Sequence, residues 1–225
     1  MGKNNFQIVS TGVFDRRGAD KVSAHTFYGV MAIVLVWGLG LTAYFAHYAI
    51  QIAFIPSWTS LIVLGLVIPI AGIFVAIKSK NPLLSFVGYN MIVIPFGFLL
   101  GPVVNQYSPD VVRNAFGMTA AISLSMGMLG TIYPKFFSKI GGFLFMTLIG
   151  LLIVRILQLF IPGLDLTIID YVAAGLFSLY IGYDMYRANN MPKTLNNAVS
   201  VCVDLYLDII NLFLNILRIM GKGKK

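Results

Sequence analysis

The sequence predicts an all-α membrane protein of seven transmembrane helices, and three observations carry that prediction. Hydrophobic residues make up 58% of the 225-residue chain and charged residues only 11%. The mean hydropathy of +0.86 is far above that of a soluble domain. The apolar residues fall into stretches of about 20, each long enough to cross about 30 Å of hydrocarbon as a helix. Connections between them are short, so the chain forms one compact bundle and leaves no room for a sizeable aqueous domain.

The spans are expected near residues 27–50, 59–77, 83–104, 112–133, 140–161, 166–187 and 198–220. Pro56 precedes the second, Asn81-Pro82 opens the third, Pro134 follows the fourth, and Pro162-Gly163 separates the fifth from the sixth. Pro69, Pro95 and Pro102 lie inside spans and read as ordinary membrane-helix prolines, whose freed carbonyls neighbouring helices can satisfy. Gly97 and Gly101 have the spacing of close helix packing. Three regions follow: a polar N-terminal tail over 1–25, a membrane domain over 26–221 and a basic tail over 222–225. The N-terminal tail lacks the short apolar core and small-residue cleavage site of a signal peptide and is expected to be cytoplasmic.

Charge orients this bundle. The net charge is +8, but the basic residues are dispersed among loops and ends, which excludes a nucleic-acid patch and fits the positive-inside rule. Lys3, Arg16, Arg17 and Lys21 precede the first span, Lys78 and Lys80 follow the second, Lys135 and Lys139 the fourth, and Arg187 and Lys193 the sixth. Those segments are expected inside. The alternate connections carry Asp110 and Asp165, with Arg113 at the mouth of the fourth span. The C-terminal GKGKK conflicts with this scheme, because seven spans place it outside. The last segment either spans against its local charge or returns as a hairpin; the lack of Gly or Pro over 198–220 favours a full span. The single cysteine, Cys202, excludes an internal disulfide and reads as packing, and with only His25 and His47 beside it there is no zinc spacing.

The last span also carries acids. Wound at about 100° per residue, it places Asn197, Ser200, Asp204, Asp208, Asn211, Asn215 and Arg218 within about 40° of one line. Such a helix belongs in the middle of a bundle, with its stripe against protein or a wet cavity. An Asp at a helix centre costs about 2.5–3.5 kcal/mol on insertion scales, so two on one face are not accidental. Asp204 and Asp208 are one turn apart and resist ionising together, so one holds a proton or a cation sits between them. Asp184 lies near the inner end of the sixth span, three residues before Arg187, a natural ion-pair spacing. Arg155, about 9 Å from the outer end of the fifth span, is expected to snorkel to the interface.

The pairing of LYIGYD (Leu179 to Asp184) with LYLDIINLFLNILRI (Leu205 to Ile219) resembles the Bax inhibitor family, also called the transmembrane Bax inhibitor motif family. MGMLGTIYPKFFSKIGGFLF after the fourth span resembles that family's turn into the fifth, so the likeness covers roughly residues 25 to 221. The resemblance implies six helices around a central C-terminal seventh and a pH-sensitive calcium leak channel rather than an enzyme. It implies that Asp184 and Asp208 share a proton when closed and, when open, bind calcium weakly as the transported ion. Asp204 is an addition to the family pattern and would make a triad, with Asn211 and Asn215 as supporting oxygens. Bacterial relatives close the inner mouth with a basic residue after the second span; here Lys78 or Lys80 would be that gate. No cofactor is implied. The expected surroundings are a bilayer, calcium and protons, in a bacterial cytoplasmic membrane.

Rival membrane chemistries lack their residues. An intramembrane aspartyl protease would carry Gly-x-Gly-Asp where this chain has Leu205-Tyr206-Leu207-Asp208, a rhomboid-type protease would need Gly-x-Ser-Gly, and a retinal protein would need a lysine between Lys193 and Lys222. The alternative function is a regulatory interaction protein that modulates a membrane-bound ATP-dependent protease, with the polar tail over 2–20 as its handle.

Overall fold

A computed structural model describes residues 21–158, 160 and 167–222. The tail up to residue 20, the Pro162-Gly163 connection with Asp165, and the tail over 223–225 lie outside the described residues. The described residues form seven helices in order: α1 Ala24–Gln51, α2 Trp58–Lys78, α3 Pro82–Val104, α4 Pro109–Ile132, α5 Pro134–Gln158, α6 Thr167–Asn190 and α7 Leu195–Lys222. Among the described residues there is no strand, only an isolated bridge from Lys21 to Thr194.

Local chemistry sets the ends. Ser23 Oγ accepts from the Thr26 amide at 3.0 Å and starts α1 ahead of the apolar run. Asn81 Oδ1 accepts from the Leu83 amide at 2.9 Å, with Pro82 as the first helical residue of α3. Pro134 does more than end α4, because it opens α5 directly, with Tyr133 alone between the two helices. The fifth helix therefore begins at 134 and not near 140: a proline at the first helical position needs no amide hydrogen, and Lys135 and Lys139 are good helix formers. Inside α2, residues Val63–Val67 form a π-helical turn just before Pro69. Pro69 has no N–H for the carbonyl four residues back, and the backbone widens there.

Six of the helices are long and apolar enough to cross a membrane. The exception is α6, whose 24 residues include Asp170, Asp184 and Arg187; at about 36 Å it has the length but not the hydropathy. Large apolar side chains such as Ile33, Trp58, Leu124 and Phe145 point outward, as on a lipid-facing surface.

The last helix is one unbroken run of 28 residues, which removes the hairpin alternative. It is also the most enclosed: 72% of its most apolar 18-residue window is buried, against 11–39% in the other five apolar helices. Helices α6, α1, α4, α3 and α2 pack along it, while α5 lies against α6 and α4. Small residues permit the close crossings. A Cβ on Gly97 would come within 2.7 Å of Phe45 Cβ, and one on Gly101 within 2.6 Å of the Ala46 carbonyl oxygen, so this pair seats α3 on α1. Tyr206 anchors α7 in the core through a 2.6 Å hydrogen bond with the Thr42 hydroxyl of α1. Cys202 is fully buried and its thiol donates to the Met31 carbonyl at 3.3 Å, a packing residue as its position on the helix predicts.

Candidate functional site

Helices α6 and α7 run antiparallel, so the end of one meets the start of the other and the polar stripe of α7 divides into two clusters. The first joins Asp184 and Arg187 of α6 to Asp204 and Asp208 of α7. Arg187 Nη1 donates to Asp184 Oδ1 and to Asp204 Oδ2, both at 2.9 Å. Side-chain exposure is 15% for Arg187, 5% for Asp184 and 31% for Asp204, so the network is mostly removed from solvent.

Asp208 completes the cluster from one turn further along α7. Its carboxyl lies within hydrogen-bonding reach of the Asp184 carboxyl, and its Oδ2 is buried with no N–H or hydroxyl donor from the described residues. A hydrogen bond between two carboxyl groups needs a proton on one of them. Two more buried polar atoms without partners, Asn197 Oδ1 and Ser200 Oγ, lie on the same stripe between Asp204 and the start of α7. Among the described residues no three His, Cys, Asp or Glu side chains are grouped to hold a metal ion. Arg187 instead supplies the positive charge between Asp184 and Asp204.

The second cluster sits at the other end of the helix pair. Asp170, 1% exposed, accepts from Arg155 at 2.6 Å and from Arg218 at 3.0 Å, and pairs with Lys222 at 3.4 Å. Asn215 Oδ1 accepts from Arg155 at 3.1 Å and from Arg218 at 2.7 Å. Arg155 thus turns inward to a buried carboxylate and does not snorkel, because Asp170 offers it a charge partner at that depth. Arg218 and Lys222 are held the same way, which gives the basic end of α7 partners despite its unfavourable charge.

Of the residues singled out by sequence, Asp184, Asp204 and Asp208 come together. Asn215 belongs to the Asp170 cluster, about 10 Å along the helix from Asp208. Asn211 donates through its Nδ2 to the Leu207 carbonyl of its own helix at 2.8 Å, a bond that does not use its side-chain oxygen. Lys78 and Lys80 are exposed, and Lys78 Nζ lies 5.1 Å over the Phe74 ring. Neither lysine pairs with the acids, whereas Arg187, three residues from Asp184 on the same helix, bonds Asp184 and Asp204. Sequence reasoning missed Asp170, although its spacing of 14 residues from Asp184 is close to four helical turns and puts both on one face of α6.

The family described as inhibitor of apoptosis-promoting Bax1 matches residues 24–225. The chain belongs to the Bax inhibitor family. As a member of it, the chain is similar to bacterial proteins along most of its length. A protein of Borreliella burgdorferi is 30% identical over 173 residues, 73% of either chain. Protein YrjE of Lactococcus lactis is 28% identical over 227 residues, 93% of this chain and 94% of that one. Inner membrane protein YbhL of Escherichia coli is 26% identical over 214 residues, 88% of this chain and 90% of that one. This Bax inhibitor family member is thus an integral membrane protein by its helices and by its relatives.

Proposed function

We propose that this chain is a pH-sensitive cation leak channel, with calcium as the transported ion, its N-terminus on the cytoplasmic side and a shared proton on Asp184 and Asp208 as the sensor. The observation that carries the reading is the pair of buried carboxyl groups facing each other between α6 and α7 at the core of a membrane bundle. With the proton in place, the two acids attract and α6 and α7 are held together. Loss of the proton leaves two anions side by side in a low dielectric, which repel each other and attract a hard cation.

Arg187 makes the arrangement a closed one, since its guanidinium already neutralises Asp184 and Asp204 and a cation must displace it. The unpartnered oxygens of Asn197 and Ser200 extend from the acids toward the start of α7, where the positive-inside rule places the cytoplasm. Buried polar atoms without a protein partner are satisfied by water or an ion, so this half of the stripe is the route of access. Calcium favours six to eight oxygens, and this cluster supplies part of such a shell, which suits passage of a partly hydrated ion better than storage.

The experiment is calcium flux into vesicles containing the purified protein, measured across pH. Flux is expected to rise with pH as the shared proton is lost, and Asp208→Asn, which keeps a hydrogen bond but cannot ionise, is expected to flatten the response. Flux that is the same at every pH in both proteins overturns the proposal.

A further inference from the structure

Helices α1 and α4 both pack on α7, yet they do not pack appreciably on each other. The space between them is a cavity of about 430 Å³. Leu35 of α1 forms one wall, Gly127 and Met128 of α4 the other, and Met185 of α6 with Leu205 and Ile209 of α7 the floor. One end is closed by a chain of hydrogen bonds across the gap: Tyr28 of α1 donates to Asn189 Oδ1 at 2.6 Å, and Asn189 Nδ2 donates to Thr131 Oγ1 of α4 at 3.0 Å. The cavity therefore opens sideways, where exposed Leu124 and Met128 mark the lipid-facing surface.

We propose that this lateral groove binds one acyl chain of an anionic phospholipid from the leaflet at the Lys135 end of the bundle. Apart from the Ser123 and Thr131 hydroxyls its lining is apolar, and an unfilled groove would forfeit the dispersion contacts of every apolar lining side chain. Its size falls within the range of small-molecule sites, about 300–1,000 Å³. Gly127 keeps it open: a Cβ there would meet only Met185 Cγ, at an ordinary 3.5 Å, so helix packing does not demand glycine at this position. The charge at the closed end selects the headgroup. Exposed Lys135 and Lys139 begin α5 just past that end of α4, and basic side chains at the membrane surface attract anionic lipid.

The test is native mass spectrometry of the purified full chain after detergent exchange, titrated with phosphatidylglycerol or phosphatidylcholine. The unmodified protein is expected to retain one phosphatidylglycerol at least about tenfold more than phosphatidylcholine, a difference of about 1.4 kcal/mol. Gly127→Leu, which fills the groove, should abolish that retention. Gly117→Leu, on the same helix where a Cβ meets nothing within 4 Å, should preserve it. Equal retention by both variants, no preference between the lipids, or a dimer that binds no lipid overturns the proposal. Should Gly127→Leu fail to fold, phosphatidylglycerol with a photoreactive group in its acyl chain gives the answer with the unmodified protein. Crosslinks confined to 124–132 and 205–209 support the groove, whereas crosslinks spread over Ile33 and Phe145 refute it.

Discussion

Replacing Arg187 with glutamine removes the charge that joins Asp184 to Asp204 and keeps a planar hydrogen-bonding group. The guanidinium is 15% exposed and bonds both carboxylates at 2.9 Å. Removing one member of a buried ion pair costs about 3–5 kcal/mol, because the partner is left buried and uncompensated. Asp204, at 31% exposure, keeps part of its hydration, which places the cost at the lower end, about 3 kcal/mol. In a chain of this length each kcal/mol moves Tm by about 2–4 °C, so Arg187→Gln should lower Tm by about 6–12 °C at neutral pH.

The assay is thermal unfolding of the purified protein in detergent at about pH 8 and about pH 5, with and without calcium. Protons or a cation can take over the neutralising role of the guanidinium, so the gap between variant and parent should shrink by at least half in acid or in calcium. Adding Asp204→Asn to the variant should also cost less than the sum of the two single changes. A gap that is unchanged by pH, by calcium and by the second substitution refutes the reasoning.

Other outcomes follow from individual contacts. Asp170→Asn should destabilise the far end of the α6–α7 pair by about 3 kcal/mol, since it strips the charge from a 1%-exposed carboxylate bonded to Arg155 and Arg218; faster hydrogen exchange over 212–222 with little change over 200–208 is the signature. Gly130→Ala should cost about 1–3 kcal/mol, because its Cβ would collide with the Gly182 carbonyl oxygen where α4 crosses α6. Gly117→Ala, in open space on the same helix, should instead stabilise by about 0.5–1 kcal/mol in a melting comparison. Tyr206→Phe should cost about 1 kcal/mol by leaving the buried Thr42 hydroxyl without its 2.6 Å partner, and adding Thr42→Val should recover most of that loss.

Much of the architecture is legible in the amino-acid sequence because lipid imposes it. Backbone groups in hydrocarbon must be satisfied within the segment, so apolar runs of span length have to be helices. The polar face of the last span likewise forces it into the bundle interior, since a helix with two aspartates and three asparagines cannot face lipid along that stripe. The helix starts were less legible. Pro134 reads equally well as the end of α4 or the start of α5, and only the packed chain shows that one residue, Tyr133, makes the whole turn.

Composition and periodicity by themselves determined that this chain is a seven-helix membrane protein, and that Asp204 and Asp208 share one face of the last helix. Which groups those acids meet was decided by tertiary structure. Periodicity gives the direction in which a side chain points along one helix; it does not give the rotation, depth or polarity of the neighbouring helix. The antiparallel packing of α6 on α7 brings Asp184 and Arg187 to the two acids and leaves Lys78 and Lys80 outside. The same packing separates Asn215 from the acid cluster and gathers Asp170, Arg155, Arg218 and Lys222 at the opposite end. Buried charges in a bundle find the nearest opposite charge at their own depth, and depth is fixed only when the helices are docked.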